Sequence, residues 1–156
     1  MTATDLLTLH FGEIRRRSIK IWEAVPPEFY SWRPDEDAMT ALEMVRHVLE
    51  SEHLYHVILN RNGVAGDYVS PWVGKPFLSI ADEIAFAKPF RESYLSAVRG
   101  FQSTDLEATE IVRPDVGQKS KLGQYLLKVA YHEAVHAGQL LSYLRTLGVD
   151  RPLIWD

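Results

Sequence analysis

Two histidines with helical spacing are the residues of this chain that point most directly to a chemistry. His132 and His136 stand four positions apart in the stretch 131–140. Residues four apart lie on the same face of a helix, with Cβ atoms roughly 5–6 Å apart, so two imidazoles there can reach one metal ion. The same spacing also fits a pair of core histidines, each bonded to a tyrosine or a carboxylate, because an unpaired buried polar group costs about 1–3 kcal/mol.

The string around these histidines matches H-E-x-x-H, the helix of zinc proteases. The surrounding sequence argues against a protease. Gln139 and Ser142 stand where the elongated protease motif has glycine and histidine, and none of the 20 residues after His136 is glutamate. A third metal ligand therefore has to come from upstream.

Apolar periodicity predicts the elements that carry these residues. It predicts four long helices over residues 4–24, 40–61, 79–101 and 120–147. Thr40 and Glu43 form a capping box before the second helix, and Gly148 ends the fourth. Strand signals are almost absent apart from a short extended piece at 111–112. The predicted fold class is all-α, a four-helix bundle in a single domain, 1–156. Connections longer than the ~2–8 residues usual in bundles predict at least one crossover.

His47 is the upstream histidine best placed to complete a metal site. Counting 100° per residue, His47 falls among the apolar residues of the second helix, whereas His53 falls on the polar side and His56 at the border. Packed helices lie about 8–10 Å apart, so an inward His47 can meet a metal held by His132 and His136. Three imidazoles leave coordination positions open, as in catalytic sites, and suit zinc, nickel, copper or iron.

Composition narrows the class of protein. The 156 residues are 46% apolar and 24% charged, and the formal net charge of −4 argues against a nucleic-acid binder. The absence of cysteine excludes disulfides, thiolate ligands and a cysteine nucleophile.

The run Arg15-Arg16-Arg17 is interpreted as a solvated helix face. No apolar run approaches the ~20 residues of a membrane span, and the first residues lack signal-peptide features, so we expect a cytoplasmic protein.

Several blocks of the sequence together resemble a known family. The blocks are W-R-P at 32–34, E-M-V-R-H-V at 43–48 with Glu52, H-E-A-V-H-A-G-Q-L at 132–140, and Y-L-R-T-L-G at 143–148. The two C-terminal blocks are the specific part. Over most of its length the chain resembles the DinB family of damage-inducible bundle proteins, the DinB/YfiT-like proposed metalloenzymes.

The resemblance implies a four-helix bundle with crossover topology and a metal triad on His47, His132 and His136. It further implies a divalent metal such as zinc or nickel, and often a homodimer. Characterised relatives use the metal to activate a low-molecular-weight thiol for transfer or isomerisation. The family varies at the position of Glu133, so the resemblance does not make that residue catalytic.

Two functions from different classes remain open at this point. The first is an enzyme whose metal activates a thiol or water for transfer, isomerisation or hydrolysis on a small molecule; the second is a non-catalytic bundle that binds metal or a stress-related partner. Glu133 is open to three interpretations: general base, partner orienting an imidazole, or surface carboxylate. Four aromatic residues are candidate pocket walls, although ordinary core is the preferred interpretation of each: Trp32, Trp72, Tyr55 and Tyr125.

Overall fold

The computed structural model describes all 156 residues and contains five α-helices, one 3₁₀ turn and a two-stranded hairpin. In chain order the elements are α1 (Ala3–Glu23), the 3₁₀ turn (Pro27–Phe29), α2 (Ala41–Asn60), α3 (Ile80–Gly100), α4 (Asp105–Ala108), β1 (Glu110–Arg113), β2 (Gln118–Lys121) and α5 (Leu122–Thr146). The predicted all-α class is confirmed. The four predicted long helices correspond to α1, α2, α3 and α5, with ends within two residues of the prediction. None of the helices combines the length and the apolar character needed to cross a membrane.

Local capping sets the limits of the two helices that carry the histidines. At the start of α2, the Glu43 backbone N–H donates to Thr40 Oγ1 (3.2 Å), and the Thr40 N–H donates to Glu43 Oε2 (2.7 Å). This reciprocal pair is the predicted capping box, and it satisfies two donors that the first helical turn leaves free. After α5, Gly148 has a φ of +69°, and the Val149 N–H donates to the Leu144 carbonyl (2.9 Å). Both predicted boundaries are confirmed.

The helices pack in a ring in which α1 and α2 lie on a diagonal. α1 packs mainly against α3 and α5, and α2 also packs mainly against α3 and α5. Consecutive helices would be neighbours in an up-down-up-down bundle with tight turns. The connection between α1 and α2 therefore crosses one end of the bundle, which confirms the predicted crossover. This order also makes α2 and α5 neighbours, as a site shared between them requires.

The connection between α3 and α5 contains the hairpin. β1 and β2 are antiparallel, with Ile111 opposite Ser120. Ile111 is buried, so the extended piece predicted at 111–112 is a strand that seals one end of the core. The hairpin also packs against the residues that follow α2. Gly63 has a φ of +108° there, and a Cβ atom on it would lie 1.7 Å from the Val112 carbonyl oxygen, so only glycine fits.

A layer of charge divides the apolar core into two parts. One part comprises 14 buried residues around Trp22, and the other comprises 11 around Tyr94. Each long helix contributes one charged side chain at the level between them: Arg15 from α1, Glu52 from α2, Arg91 from α3 and Glu133 from α5. We call these four residues the charge layer. Its two cations and two anions balance, as buried charges require.

The charge layer is connected by short, directional contacts. Arg15 donates from Nε to Glu133 Oε1 (2.7 Å) and from Nη2 to Glu133 Oε2 (2.9 Å), and its Nη2 lies 3.3 Å from Glu52 Oε2. Arg91 pairs with Glu52 and donates to the Phe11 carbonyl (2.7 Å). The interpretation of the arginine run as a solvated face is wrong for Arg15, whose side chain is only 11% exposed. Two carboxylates from other helices offset the cost of its burial, and neither lies near it in sequence.

Candidate metal centre

Three histidine side chains converge between α2 and α5. Nε2 of His132 lies 3.1 Å from Nε2 of His47 and 3.2 Å from Nε2 of His136. One nitrogen from each of the three rings can be chosen so that all lie within 4.8 Å of one another. The structure thus brings together the three residues that helical phase selected from the sequence.

Helix geometry explains the convergence. His132 and His136 are one turn apart on α5, and His47 faces them from the second turn of α2. The rings meet at steep angles, 60° between His47 and His132 and 77° between His132 and His136. All three side chains are half-buried. The bundle therefore covers one side of the cluster and leaves the other side open to solvent.

The nitrogen separations fit a metal ion. With Zn–N bonds of ~2.0–2.1 Å, two nitrogen ligands of a tetrahedral site are about 3.3 Å apart. The two short Nε2 separations at His132 are close to this value. A cysteine-free set of three imidazoles suits zinc, nickel, copper or iron, and it leaves at least one coordination position for another ligand.

A hydrogen bond orients one of the three rings. Nδ1 of His136 lies 2.6 Å from Oε1 of Gln139, one turn further along α5. An amide oxygen only accepts, so Nδ1 is the protonated nitrogen and the lone pair on Nε2 points into the cluster. Partners of this kind set the tautomer and direction of metal-binding histidines.

Burial and mutual repulsion favour neutral rings at the cluster. Burial is the main cause that lowers the pKa of His132 to about 4, and the neighbouring His136 and His47 add to it. Burial, followed by His136, also lowers the pKa of His47. Neutral imidazole is the form that binds metal. The environment of the cluster thus keeps two of its rings in the binding form at neutral pH.

Glu133 lies next to His132 in sequence, but its carboxylate points into the charge layer. The residue is 5% exposed, so the interpretation as a surface carboxylate is wrong. Both carboxylate oxygens accept from Arg15. Burial opposes its ionisation, yet the Arg15 guanidinium holds the pKa of Glu133 below its usual value. A catalytic role for Glu133 stays a prediction, and its bidentate pairing favours a structural one.

Of the four aromatic residues considered as pocket walls, Tyr55 stands beside the cluster. Its ring packs edge-on against His132, with centroids 5.6 Å apart. Trp72 is buried in the core and donates from its indole N–H to Glu83 Oε2 (2.9 Å). Tyr125 is also buried, and its hydroxyl donates to the Tyr55 carbonyl (3.1 Å). Trp32 packs against Tyr143 at the far end of α5.

The other two histidines of α2 lie apart from the cluster, but not where helical phase put them. His56 is buried against Tyr94, and His53 is half-buried against Phe90, with ring centroids 4.5 Å apart. The prediction that His47 alone points inward is therefore wrong. α2 packs against α3 as well as α5, so it has two buried faces where the phase count assumed one.

The charge layer is the feature that sequence reasoning missed. Its members sit at the borders of apolar stripes, where a charged residue is usually solvated. Each is separated from its partner by dozens of residues, up to 118 between Arg15 and Glu133. The available signal was a charged residue at the border of the apolar stripe, near the middle of each of the four long helices. That signal becomes specific only once the helix order is known.

Known proteins share this fold. The chain is 27% identical over 149 residues to YjoA, an uncharacterised protein of Bacillus subtilis strain 168, with 95% of this chain and 93% of YjoA covered. The crystal structure of YjoA, a DinB-like protein, superposes with a TM-score of 0.72 at 23% identity and covers 96% of each chain.

A second solved structure comes from the same organism. YfiT from Bacillus subtilis, "a probable metal-dependent hydrolase with an unusual four-helix bundle topology", superposes with a TM-score of 0.72 at 12% identity, covering 94% of this chain and 89% of YfiT. These likenesses establish the four-helix bundle fold. The DinB superfamily itself matches residues 10–140, a span that includes His47, His132 and His136. This chain belongs to the DinB superfamily.

Proposed function

We propose that the protein is a metal-dependent enzyme that activates a thiol or water for transfer, isomerisation or hydrolysis on a small molecule. The observation that carries the proposal is the convergence of three Nε2 atoms at the spacing of metal ligands. The description of YfiT as a probable metal-dependent hydrolase supports it, because that protein has the same fold.

In this proposal His47, His132 and His136 hold one divalent metal, zinc or nickel. A metal bound there acts as a Lewis acid and lowers the pKa of a coordinated thiol or water, to about 7 for water on zinc. The chain itself has three tasks. α2 and α5 fix the ligands, Gln139 holds the Nδ1 proton of His136 away from the cluster, and the open side of the half-buried rings admits the substrate.

The open coordination position favours catalysis over a purely structural metal. Structural zinc sites are closed by four protein ligands, whereas catalytic sites keep a position for water or substrate. Only three metal-binding side chains meet in this cluster. Glu133 enters the proposal as a residue that positions α5, since Arg15 occupies both of its oxygens.

Assays of metal-loaded protein test the proposal. Untagged protein loaded with zinc or nickel is incubated with a thiol and 1-chloro-2,4-dinitrobenzene, and separately with p-nitrophenyl acetate. We expect turnover in at least one assay that requires metal and is lost in His47→Ala. The matched control is His53→Ala, on the same helix but outside the cluster, which keeps both metal and activity. Stoichiometric metal without metal-dependent turnover in a wider panel of electrophiles and esters would favour the non-catalytic alternative.

We also propose that the protein is a homodimer. The supporting observation is an exposed apolar surface on α1 and α5, where Leu6, Leu127 and Tyr131 are each more than half exposed. Large contiguous apolar patches are uncommon on monomers. Sedimentation equilibrium should give twice the chain mass of 17.8 kDa, and Leu127→Glu should shift it to the monomer. A monomeric wild-type protein at micromolar concentration would contradict the proposal.

A further inference from the structure

Two hydrogen bonds join α2 to α5 on either side of the histidine cluster. Toward the hairpin, the Tyr125 hydroxyl donates to the Tyr55 carbonyl (3.1 Å). At the other end, the Tyr143 hydroxyl donates to the carbonyl of Met39, just before α2 (3.0 Å). Each tyrosine is two helical turns from the nearer histidine of α5, which is about 10 Å along the axis. Neither bond therefore fixes the separation of the two helices at the level of the cluster.

Arg15 of α1 connects α2 to α5 between these two points. Its Nε and Nη2 donate to Glu133 of α5 (2.7 and 2.9 Å), and Nη2 lies 3.3 Å from Glu52 Oε2 of α2. We call these contacts the Arg15 bridge. Arg91, the other cation of the charge layer, pairs with Glu52 and donates to the Phe11 carbonyl. None of the hydrogen bonds or ion pairs of Arg91 reaches α5, so the bridge depends on Arg15.

The Arg15 bridge lies at the level of the cluster. On α5, Glu133 directly follows His132. On α2, Glu52 lies between His47 and Tyr55 in the sequence. The rings of His47 and Tyr55 both pack against that of His132, with centroids 5.1 and 5.6 Å apart. Because helices are rigid over so few residues, a movement of either carboxylate carries the nearby histidine with it.

Burial lets the Arg15 bridge define a distance. The side chains of Arg15, Glu52 and Glu133 are 11%, 8% and 7% exposed. Burial opposes the charge on Arg15, yet Glu133 and Glu52 raise the pKa of its guanidinium above the usual value, so it stays charged. Solvent ions screen such buried pairs little, and the two-pronged contact with Glu133 fixes direction as well as distance. Exposed ion pairs impose much weaker restraints.

We propose that Arg15 is a positioning residue of the metal centre and sets the separation of α2 and α5 at the level of the three histidines. This inference rests on the proposed function and adds to it a residue of a third helix. The Nε2 atoms of His47 and His132 are 3.1 Å apart across the two helices. Metal ligands must be held to within about 0.5 Å of their working geometry. A small separation of the helices would therefore detach His47, whereas His132 and His136 would stay together on α5.

Two variants with the same change of charge test the proposal. Arg15→Met and Arg91→Met each remove one cation of the charge layer, but only Arg15→Met removes the bridge between α2 and α5. Zinc affinity is measured by chelator competition at a temperature at which circular dichroism shows each variant to be fully folded, so that differences in stability do not enter. We expect Arg15→Met to bind zinc about 10–100-fold more weakly than the wild-type protein, and Arg91→Met to stay close to the wild-type affinity.

Cobalt reports the geometry of the site independently of affinity. The visible absorption of cobalt-loaded protein is strong when the ion is tetrahedral and weak when water completes a larger coordination shell. At saturating cobalt, this absorption should decrease in Arg15→Met and stay unchanged in Arg91→Met. A residue that only stabilises the fold would not change the spectrum of a fully folded protein.

A charge-balanced double variant keeps the test informative if Arg15→Met does not fold. Arg15→Met combined with Glu133→Leu leaves Glu52 paired with Arg91, so the remaining charges balance. We expect its zinc affinity to be as low as that of Arg15→Met, although its stability is higher.

Wild-type zinc affinity in the double variant or in folded Arg15→Met would overturn the positioning role of Arg15. A loss of affinity in Arg91→Met as large as that in Arg15→Met would overturn it too, because Arg91 does not contact α5 through a hydrogen bond or an ion pair. A wild-type protein that binds neither zinc nor nickel would instead overturn the proposed function, so the two failures are distinguishable.

Discussion

Removing one charge from the charge layer should destabilise the bundle strongly. Glu133→Gln keeps the shape of the side chain but leaves two arginines facing one glutamate in a region where Glu133 is 5% exposed. It also removes one of the two hydrogen bonds that Arg15 donates, at 2.7 and 2.9 Å, because an amide NH2 group cannot accept, and it weakens the other. Breaking a buried ion pair by removing one partner costs about 3–5 kcal/mol. Because Glu52 still faces Arg15 at 3.3 Å, we expect the lower end of that range, about 3 kcal/mol.

Urea unfolding in the presence of EDTA measures this loss without a contribution from bound metal. A loss of about 3 kcal/mol corresponds to a decrease in Tm of about 6–12 °C for a chain of this size. The matched control is Glu13→Gln, which removes a carboxylate from an exposed cluster with Arg16 and Arg17 and should have a much smaller effect.

A double variant separates charge from packing. Arg15→Met combined with Glu133→Leu removes one cation and one anion together, so the remaining pair of Glu52 and Arg91 stays neutral. We expect the double variant to be more stable than Glu133→Gln alone, because apolar replacements of a whole buried pair are often neutral or stabilising. Our reasoning would be refuted if Glu133→Gln behaved like the Glu13→Gln control, or if the double variant lost as much as the sum of its single changes.

Three further predictions concern the hairpin, the acid stability and the cluster. Gly63→Ala should lower Tm far more than Gly74→Ala. Both glycines have a positive φ, but only at Gly63 would an added Cβ atom collide with a backbone oxygen. Similar decreases in Tm for the two variants would mean that the hairpin moves to make room for the Cβ atom. Burial opposes ionisation of Glu83, yet contacts led by Arg46 hold its pKa below the usual value. The free energy of unfolding should therefore fall as the pH drops below about 4.5. This fall should be less steep in Glu83→Gln than in the wild-type protein, and thermal unfolding from pH 6 to 3 checks it. Gln139→Leu should weaken zinc affinity about 10–100-fold in a chelator competition, and unchanged affinity would contradict its orienting role.

Sequence reasoning performed well where local rules govern the structure. The capping box at Thr40 and the glycine at 148 limit their helices through contacts within a few residues, so the boundaries could be read directly. The pairing of His132 with His136 follows from a single helical turn. His47 could be selected because its face of α2 meets α5.

The errors arose where burial depends on the order of the helices. Helical phase assigns one buried face to a helix, and α2 has two, so His53 and His56 were misjudged. Arg15 belongs to a run of three arginines and looks solvated until α5 supplies Glu133 from 118 positions away. None of these contacts leaves a periodic signal in the sequence.

The metal content of untagged protein tests the central claim most directly. Elemental analysis after purification without a histidine tag should find about one divalent metal per chain when the site is filled as proposed. Each single change, His47→Ala, His132→Ala or His136→Ala, should sharply reduce that stoichiometry, and a second change should add little, because the three residues act as one site. His53→Ala should retain full metal. Absence of stoichiometric metal from wild-type protein, even after incubation with zinc or nickel, or full retention in His47→Ala would contradict the account.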